Sequence, residues 1–249
     1  VRIHERTPIE GLTKQGAGIR ARTPMGSIDA KQIMLATNAY RPLLRRLRRR
    51  FLPIFDHVLV TEPLTSEQQA AIGWTERQGF TDIGNQFHYC RPTRDGRILW
   101  GGYDANYYRG NRTDESLEDR MDSFDLLARQ FSDTFPVLDD VRFSHRWAGL
   151  IDSTSRFTPA FGTAMGGRIG YAVGYTGLGT AMSRFGALTV LDLLAGRQTE
   201  RTHLAMVRRK PVRYPLVQAT RRSLAREDVT GRRGAWLRLL DSFGLGFNS

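Results

Sequence analysis

Gly174, Gly177 and Gly179 lie between a short apolar run, Ile169 to Val173, and a longer one that ends at Leu194. Glycines at such a junction let backbone come close to a ligand and leave N–H groups free to point at it. If the second run is a helix, its first turn stabilises negative charge. Ile169, Tyr171 and Val173 alternate with smaller residues, as in a buried strand. On spacing alone two readings stay open: an anion site, or a tight turn that packs a helix on a sheet.

Other chemistry is sparse. The five histidines, at 4, 57, 88, 145 and 203, are scattered, with no H-x-x-x-H pair, so no metal site is expected. Cys90 is the single cysteine, which excludes an internal disulfide and a cysteine-built metal site. Between Tyr89 and Arg91 in a strand, it reads as a small core residue rather than a reactive thiol. No G-x-S-x-G elbow occurs, and Ser183 falls inside a helical run. Gly16-Ala17-Gly18 resembles the start of a phosphate loop, but no helix follows it, so it reads as a hairpin turn.

The elements that must hold these residues alternate. A β-meander is expected over residues 1–36, with the chain starting in mid-strand at VRIHER; this suggests a fragment. Its second strand, Ile19–Thr23, turns at Met25-Gly26. The run LLRRLRRRF puts Leu43, Leu47 and Phe51 four residues apart, which predicts a short helix after Pro42 with a solvated basic face. The net charge of +12 is almost all arginine, with lysine only at 14, 31 and 210. That charge is read as solvated surface and not as a nucleic-acid interface, since no aromatic–basic interleaving accompanies it.

Further on, Phe55–Thr61 reads as a strand and Ser66 with Gln69 as a capped helix start. Gln86–Arg91 and Arg97–Gly102 form a hairpin through Arg94-Asp95-Gly96. Its period of two puts Phe87, Tyr89 and Arg91 on one face, His88 and Cys90 on the other. A helix is expected over 114–135 with a stripe of Leu117, Met121, Phe124, Ala128, Phe131 and Phe135. Val141–Gly149 is a strand carrying His145 and Trp147, and Trp236–Leu240 a short closing helix. The pattern gives an α+β or mixed α/β fold. With 40% hydrophobic residues the chain is long enough for one large core or two modest ones. No apolar run approaches the about 20 residues of a membrane span, and no signal peptide is visible, so a cytoplasmic setting is expected.

Five segments occur in order: TPIEGL, MLATNAY, FHYCRPTRDGRILWGG, HRWAGLIDSTSRFTPAFG and GYTGLGTAMSRFGALTVLDLLAG. Together they resemble the C-terminal half of the FAD-dependent amine and amino-acid oxidases of the D-amino-acid oxidase superfamily. The branch they look most like holds glycine oxidase, sarcosine oxidase and gamma-glutamylputrescine oxidase, and the likeness covers Val1 to Met206. It implies the C-terminal part of a two-domain flavoprotein. Residues 1–50 and 150–200 would belong to the FAD-binding domain, residues 51–149 to an antiparallel-rich substrate domain, and residues 201–249 to a tail. The family's G-x-G-x-x-G turn would precede Val1.

By the same resemblance, Thr7, Pro8 and Ile9 match the segment that meets the adenine, and Ala36, Thr37, Asn38 and Ala39 the turn near the ADP part. Gly174, Tyr175, Thr176, Gly177, Leu178, Gly179 and Thr180 match the turn at the flavin pyrimidine edge. Tyr89, Arg91, Tyr103, Trp147, Ile151 and Asp152 are the expected substrate-lining residues, although plain sheet packing also accounts for Tyr89 and Tyr103. His145 reads as a satisfied sheet histidine; no catalytic residue is assigned. Glycine and D-amino-acid oxidases carry an Arg after the WAGL-like segment to clamp the substrate carboxylate; here Ile151 and Asp152 follow Leu150. Sarcosine oxidases hold their flavin through a cysteine near this region, and its absence implies noncovalent FAD. The substrate implied is a small amine or amino acid, with O2 as the acceptor in the family's manner. Two alternatives stand beside this reading: a truncated module that holds no FAD, and a basic nucleic-acid-binding domain.

Overall fold

A computed structural model describes residues 1–83, 86–108 and 110–214. The described chain forms two units, residues 1–52 with 151–214, and residues 53–150. The expected helix Trp236–Leu240 lies outside the described residues.

The first unit opens with an antiparallel three-stranded sheet of β1 (Gly11–Gln15), β2 (Gly18–Thr23) and β3 (Gly26–Ala30). Gly16, at φ 53°, makes the β1–β2 turn, as the hairpin reading of Gly16-Ala17-Gly18 requires. The expected first strand is absent. Val1 and Ile3 find no partner strand among the described residues and are exposed. The basic run yields a single 3-10 turn, Arg45–Leu47, and not a helix. Leu47 is buried as expected, but Phe51 enters the core as the first residue of a strand.

A second sheet in this unit runs β10 (Ala160–Ala164), β11 (Ile169–Val173), β4 (Ile33–Leu35). β11 is antiparallel to β10 and parallel to β4, with Tyr171 opposite Leu35. Alternation along β11 divides its faces. Ile169, Tyr171 and Val173 enter a core with Leu35, Leu47 and Phe51. Gly170 and Ala172 turn toward α3 (Gly179–Leu194), where Val190 is fully buried. A side chain at 170 would sit 2.4 Å from Val190 Cγ1, so the small residues set how closely α3 lies on the sheet. Two short helices follow, α4 (Glu200–His203) and α5 (Ala205–Arg208).

The second unit is a five-stranded sheet in the order β6 (Phe80–Thr81), β7 (His88–Pro92), β8 (Ile98–Gly102), β5 (Phe51–Thr61), β9 (Phe143–Thr154). β9 runs five residues past the expected end at Gly149. α1 (Ser66–Ile72) is capped by Thr65 with Gln68, one residue earlier than the sequence reading. The expected helix over 114–135 splits into a 3-10 turn, Glu115–Leu117, and α2 (Met121–Thr134). Helical phase restarts at Met121, which is 45% exposed, so the buried stripe becomes Phe124, Leu127 and Phe131. These pack with Leu59, Cys90, Ile98 and Trp100 from one sheet face. The Cys90 thiol is pushed up to about 12 by burial, in keeping with a core role.

Two polar residues interrupt the apolar strand β5, Asp56 and His57. His57 is fully buried, edge-on to Phe124, and neither ring nitrogen has a hydrogen-bond partner among the described residues. Burial pulls its pKa down to about 4; Asp104 opposes that shift and Arg120 adds to it. As pH falls below the ordinary histidine value, the unfolded chain takes the proton first, so His57 removes stability as pH falls toward 4. Replacing it by leucine therefore raises stability more near pH 5 than near pH 8, by a difference on the order of 2 kcal/mol. Urea unfolding at the two pH values checks this; an equal gain at both contradicts it.

Candidate functional site

The junction of β11 and α3 is built by one carboxylate. Asp152, near the end of β9, is 1% exposed. Its Oδ2 accepts the N–H of Gly174, its Oδ1 accepts the N–H of Tyr175 at 2.9 Å, and its backbone carbonyl accepts the N–H of Thr176 at 2.8 Å. Burial raises the Asp152 pKa, and the two N–H groups pull the other way by favouring the anion. The turn is left-handed at Gly174, Thr176 and Gly177, with φ values of 80°, 51° and 80°. At Gly174 no side chain is possible, since a Cβ would lie 2.0 Å from Thr154 Cγ2. Thr176 tolerates its positive φ because its ends are tied: its hydroxyl bonds Gly174 O at 3.2 Å and its N–H bonds Asp152.

Beyond these anchored positions the turn opens. Leu178 N–H is used by Tyr175 O, and Leu178 gives α3 no side-chain cap. The first N–H groups of α3, on Gly179 and Thr180, therefore have no intrahelical partner. Gly177, Leu178 and Thr180 are exposed, and nothing lies within 4 Å of a Cβ built at Gly177. The Tyr175 ring packs instead onto α3 at Gly186, where a Cβ would meet its hydroxyl at 2.2 Å. The result is an open cradle of N–H donors at the positive end of a helix, which suits the electron-rich edge of a flat heterocycle or another anionic group.

The turn Ala36–Ala39 leaves the carboxyl end of β4, directly beside the carboxyl end of its parallel neighbour β11. Ala36, Thr37, Asn38 and Ala39 thus leave the sheet at the same edge as Gly174–Thr180, where ligands of parallel strands bind. Asn38 adopts φ 47° there. Thr7, Pro8 and Ile9 precede β1; the Thr7 hydroxyl donates to Glu5 O, and among the described residues no hydrogen bond joins them to either turn.

Asp152 departs from the sequence expectation that it lines a substrate cavity: it is buried and both its oxygens hold the turn. Ile151 is half-buried beside it. The other expected lining residues lie in the second unit. Tyr89 and Arg91 share a face of β7, with His88 and Cys90 on the opposite, buried face. Trp147 is 43% exposed. Tyr103 stacks on the His88 ring at 4.9 Å, and so serves sheet packing. His145 is exposed and bonds the neighbouring Ser144 hydroxyl at 2.9 Å. Among the described residues no group of His, Cys, Asp or Glu is placed to hold a metal ion, and no helix is long and apolar enough to cross a membrane.

The sequence reading missed Asp56. Its Oδ2 accepts the Tyr89 hydroxyl at 2.7 Å, across the intervening strand β8. Gly101 permits this: a Cβ there would lie 2.7 Å from the Tyr89 ring. Burial pushes the Asp56 carboxyl up to about 6, offset in part by the tyrosine hydroxyl, and drives the Tyr89 phenol far up. The signal was present, an acidic residue inside the apolar run FLPIFDHVLVT.

A sequence model of FAD dependent oxidoreductases matches residues 1–193. Two curated relatives, each called a probable oxidoreductase OrdL, come from Haemophilus influenzae and Rhizobium meliloti. They are 28% identical over 79% of this chain and 27% identical over 80% of it. The chain spans 43% and 44% of their lengths. Glycine oxidase from Geobacillus kaustophilus has a similar fold, with TM-score 0.61 and 18% identity over 79% of this chain and 50% of that one. L-proline dehydrogenase from P. horikoshii gives TM-score 0.64 and 20% identity, over 79% of this chain and 51% of that one. The family match bears out the resemblance carried by the five ordered segments.

Asp152→Asn tests the anchor. An amide presents one acceptor where the carboxylate presents two, leaving a buried N–H of Gly174 or Tyr175 unpaired. The expected loss is about 2–3 kcal/mol in urea unfolding. A loss below about 0.5 kcal/mol, the range of a neutral surface change, contradicts the role given to Asp152.

Proposed function

Since this chain belongs to the family of FAD dependent oxidoreductases, we propose that it is part of a flavoenzyme oxidising the C–N bond of a small amine or amino acid to an imine. FAD is the family's cofactor; it would be held noncovalently and would supply the two-electron acceptor, with O2 as the terminal oxidant and hydrogen peroxide as product. The observation that carries this reading is the cradle at the start of α3, whose free N–H groups on Gly179 and Thr180 fit the negative charge that reduction places at the pyrimidine edge. A fixed helix end stabilises that charge without reorganising.

The chain's own residues then divide the work. Asp152 consumes the N–H groups of Gly174 and Tyr175, so the turn presents only its outer donors to the cofactor. Ala36–Ala39, beside it at the sheet edge, meets the ADP part, and Thr7, Pro8 and Ile9 the adenine. In the second unit the strands that carry Tyr89, Arg91 and Trp147 receive the substrate. The names of two similar folds support the substrate class: glycine and L-proline are both small amino acids. One is an oxidase and the other a dehydrogenase, and O2 is the acceptor in the oxidase precedent.

Gly179→Val separates cofactor binding from folding. A Cβ at 179 meets nothing closer than 4.0 Å and needs no positive φ, so the fold accepts it, while the added branches fill the cradle. The expected outcome is an FAD dissociation constant raised about tenfold or more, with the thermal midpoint within a few degrees of the parent. Flavin absorbance after equilibrium dialysis reads the first and a melt the second. Unchanged flavin binding overturns the assignment, as does a parent chain that takes up no FAD.

A further inference from the structure

Four basic side chains from two distant stretches of the chain line one cavity in the first unit. Arg46 lies in the 3-10 turn Arg45–Leu47 and Arg50 just after it, while Lys210 and Arg213 follow α5. The cavity holds about 150 Å³, several times the space a single water needs. Leu47, Ala160 and Tyr171 line it too and are buried, so its wall is apolar where the chain is packed and basic toward solvent. None of the lining residues is acidic, and none belongs to Gly174–Thr180 or Ala36–Ala39.

Long basic side chains on a solvated surface can swing away from one another, but these are tied. The Arg46 guanidinium donates to Thr163 O and lies over the Tyr171 ring, 5.3 Å from its centroid. The Arg50 guanidinium donates to Pro211 O, between Lys210 and Arg213 in sequence. The same segment is fastened by Ser155 through Val212 O and by Arg156 through Arg209 O. Every one of these ties is to a neutral group, so it fixes position without cancelling charge. Burial, then the Arg213 and Arg46 charges, lower the Arg50 pKa, with Tyr171 acting the other way. The fold thus holds like charges together, and each tied guanidinium keeps further N–H donors for another acceptor.

We propose that the cavity rimmed by Arg46, Arg50, Lys210 and Arg213 binds a phosphoryl group. A phosphate dianion brings the negative charge that this rim gathers for, and its oxygens accept from the forked guanidinium N–H groups and from the Lys210 ammonium. A lone carboxylate carries less charge and fewer acceptor oxygens. The apolar wall seats the body of a phosphate ester, whereas free phosphate uses the rim alone. The site is separate from the cradle at the start of α3, so it stands whether or not the chain takes up FAD.

The test is calorimetric titration of the full chain at fixed ionic strength and about pH 8, where the phosphoryl group is doubly charged. Sodium phosphate, phenyl phosphate and benzoate are the probes. Saturable phosphate binding is expected, weakened about tenfold or more in the double variant Lys210→Ser/Arg213→Ser. Lys14→Ser/Lys31→Ser removes the same charge elsewhere and should leave binding unchanged. All four residues are exposed, so both variants should melt with the parent. Tighter binding of phenyl phosphate than of phosphate identifies an ester as the ligand; equal or weaker binding identifies the free ion. A second readout needs no variant: phosphate raises the thermal midpoint of the parent above that in chloride of the same ionic strength. Benzoate binding as tight as either phosphate, equal loss in the two variants or loss in neither, no saturable phosphate binding with no rise in midpoint, or displacement of phosphate by FAD overturns the proposal.

Discussion

The structure around the glycine turn depends on one buried carboxylate accepting two successive backbone N–H groups. Without Asp152, the N–H groups of Gly174 and Tyr175 lie in a buried place with no acceptor, and the left-handed path through Gly174, Thr176 and Gly177 loses the ties that hold it. That path decides where α3 starts. The start of α3 in turn decides which N–H groups stay free. A single side chain thereby sorts the donors of the turn into those that hold the fold and those that face a ligand.

The close packing behind the turn serves the same end. Gly170 and Ala172 bring α3 down onto β11, and Gly186 makes room for the Tyr175 ring. Small residues at three points let helix, strand and turn approach until only one geometry fits. In the second unit the same device appears once more, with Gly101 clearing a path for Tyr89 to Asp56. In both units an aspartate gives the local arrangement its purpose. The difference lies in what satisfies it among the described residues: backbone N–H groups for Asp152, the Tyr89 hydroxyl for Asp56.

Much of this was legible in the residues. The strand–glycine–helix unit was plain, because alternation in Ile169–Val173 and an uninterrupted apolar run to Leu194 are local signals. The hairpin around Arg94-Asp95-Gly96 and its two faces were legible for the same reason. The role of Asp152 was not, since its partners stand 22 and 23 positions away and only folding pairs them. Asp56 was hidden likewise, its partner 33 residues on. The expected helix over 114–135 failed for a different reason: a continuous stripe hid the break before Met121 that resets the helical phase. The strand expected at Val1–Arg6 failed because alternation records a tendency, while a strand also needs an edge to pair with.

Amide hydrogen exchange, read residue by residue with and without FAD, measures the sorting of donors directly. The Gly174, Tyr175 and Thr176 amides should exchange slowly in both states, since Asp152 holds them. Gly177, Gly179 and Thr180 should exchange fast in the free chain and slow when FAD is added. If Tyr175 and Thr176 exchange as fast as Gly177 in the free chain, or if FAD leaves Gly179 and Thr180 unprotected, the central claim is wrong.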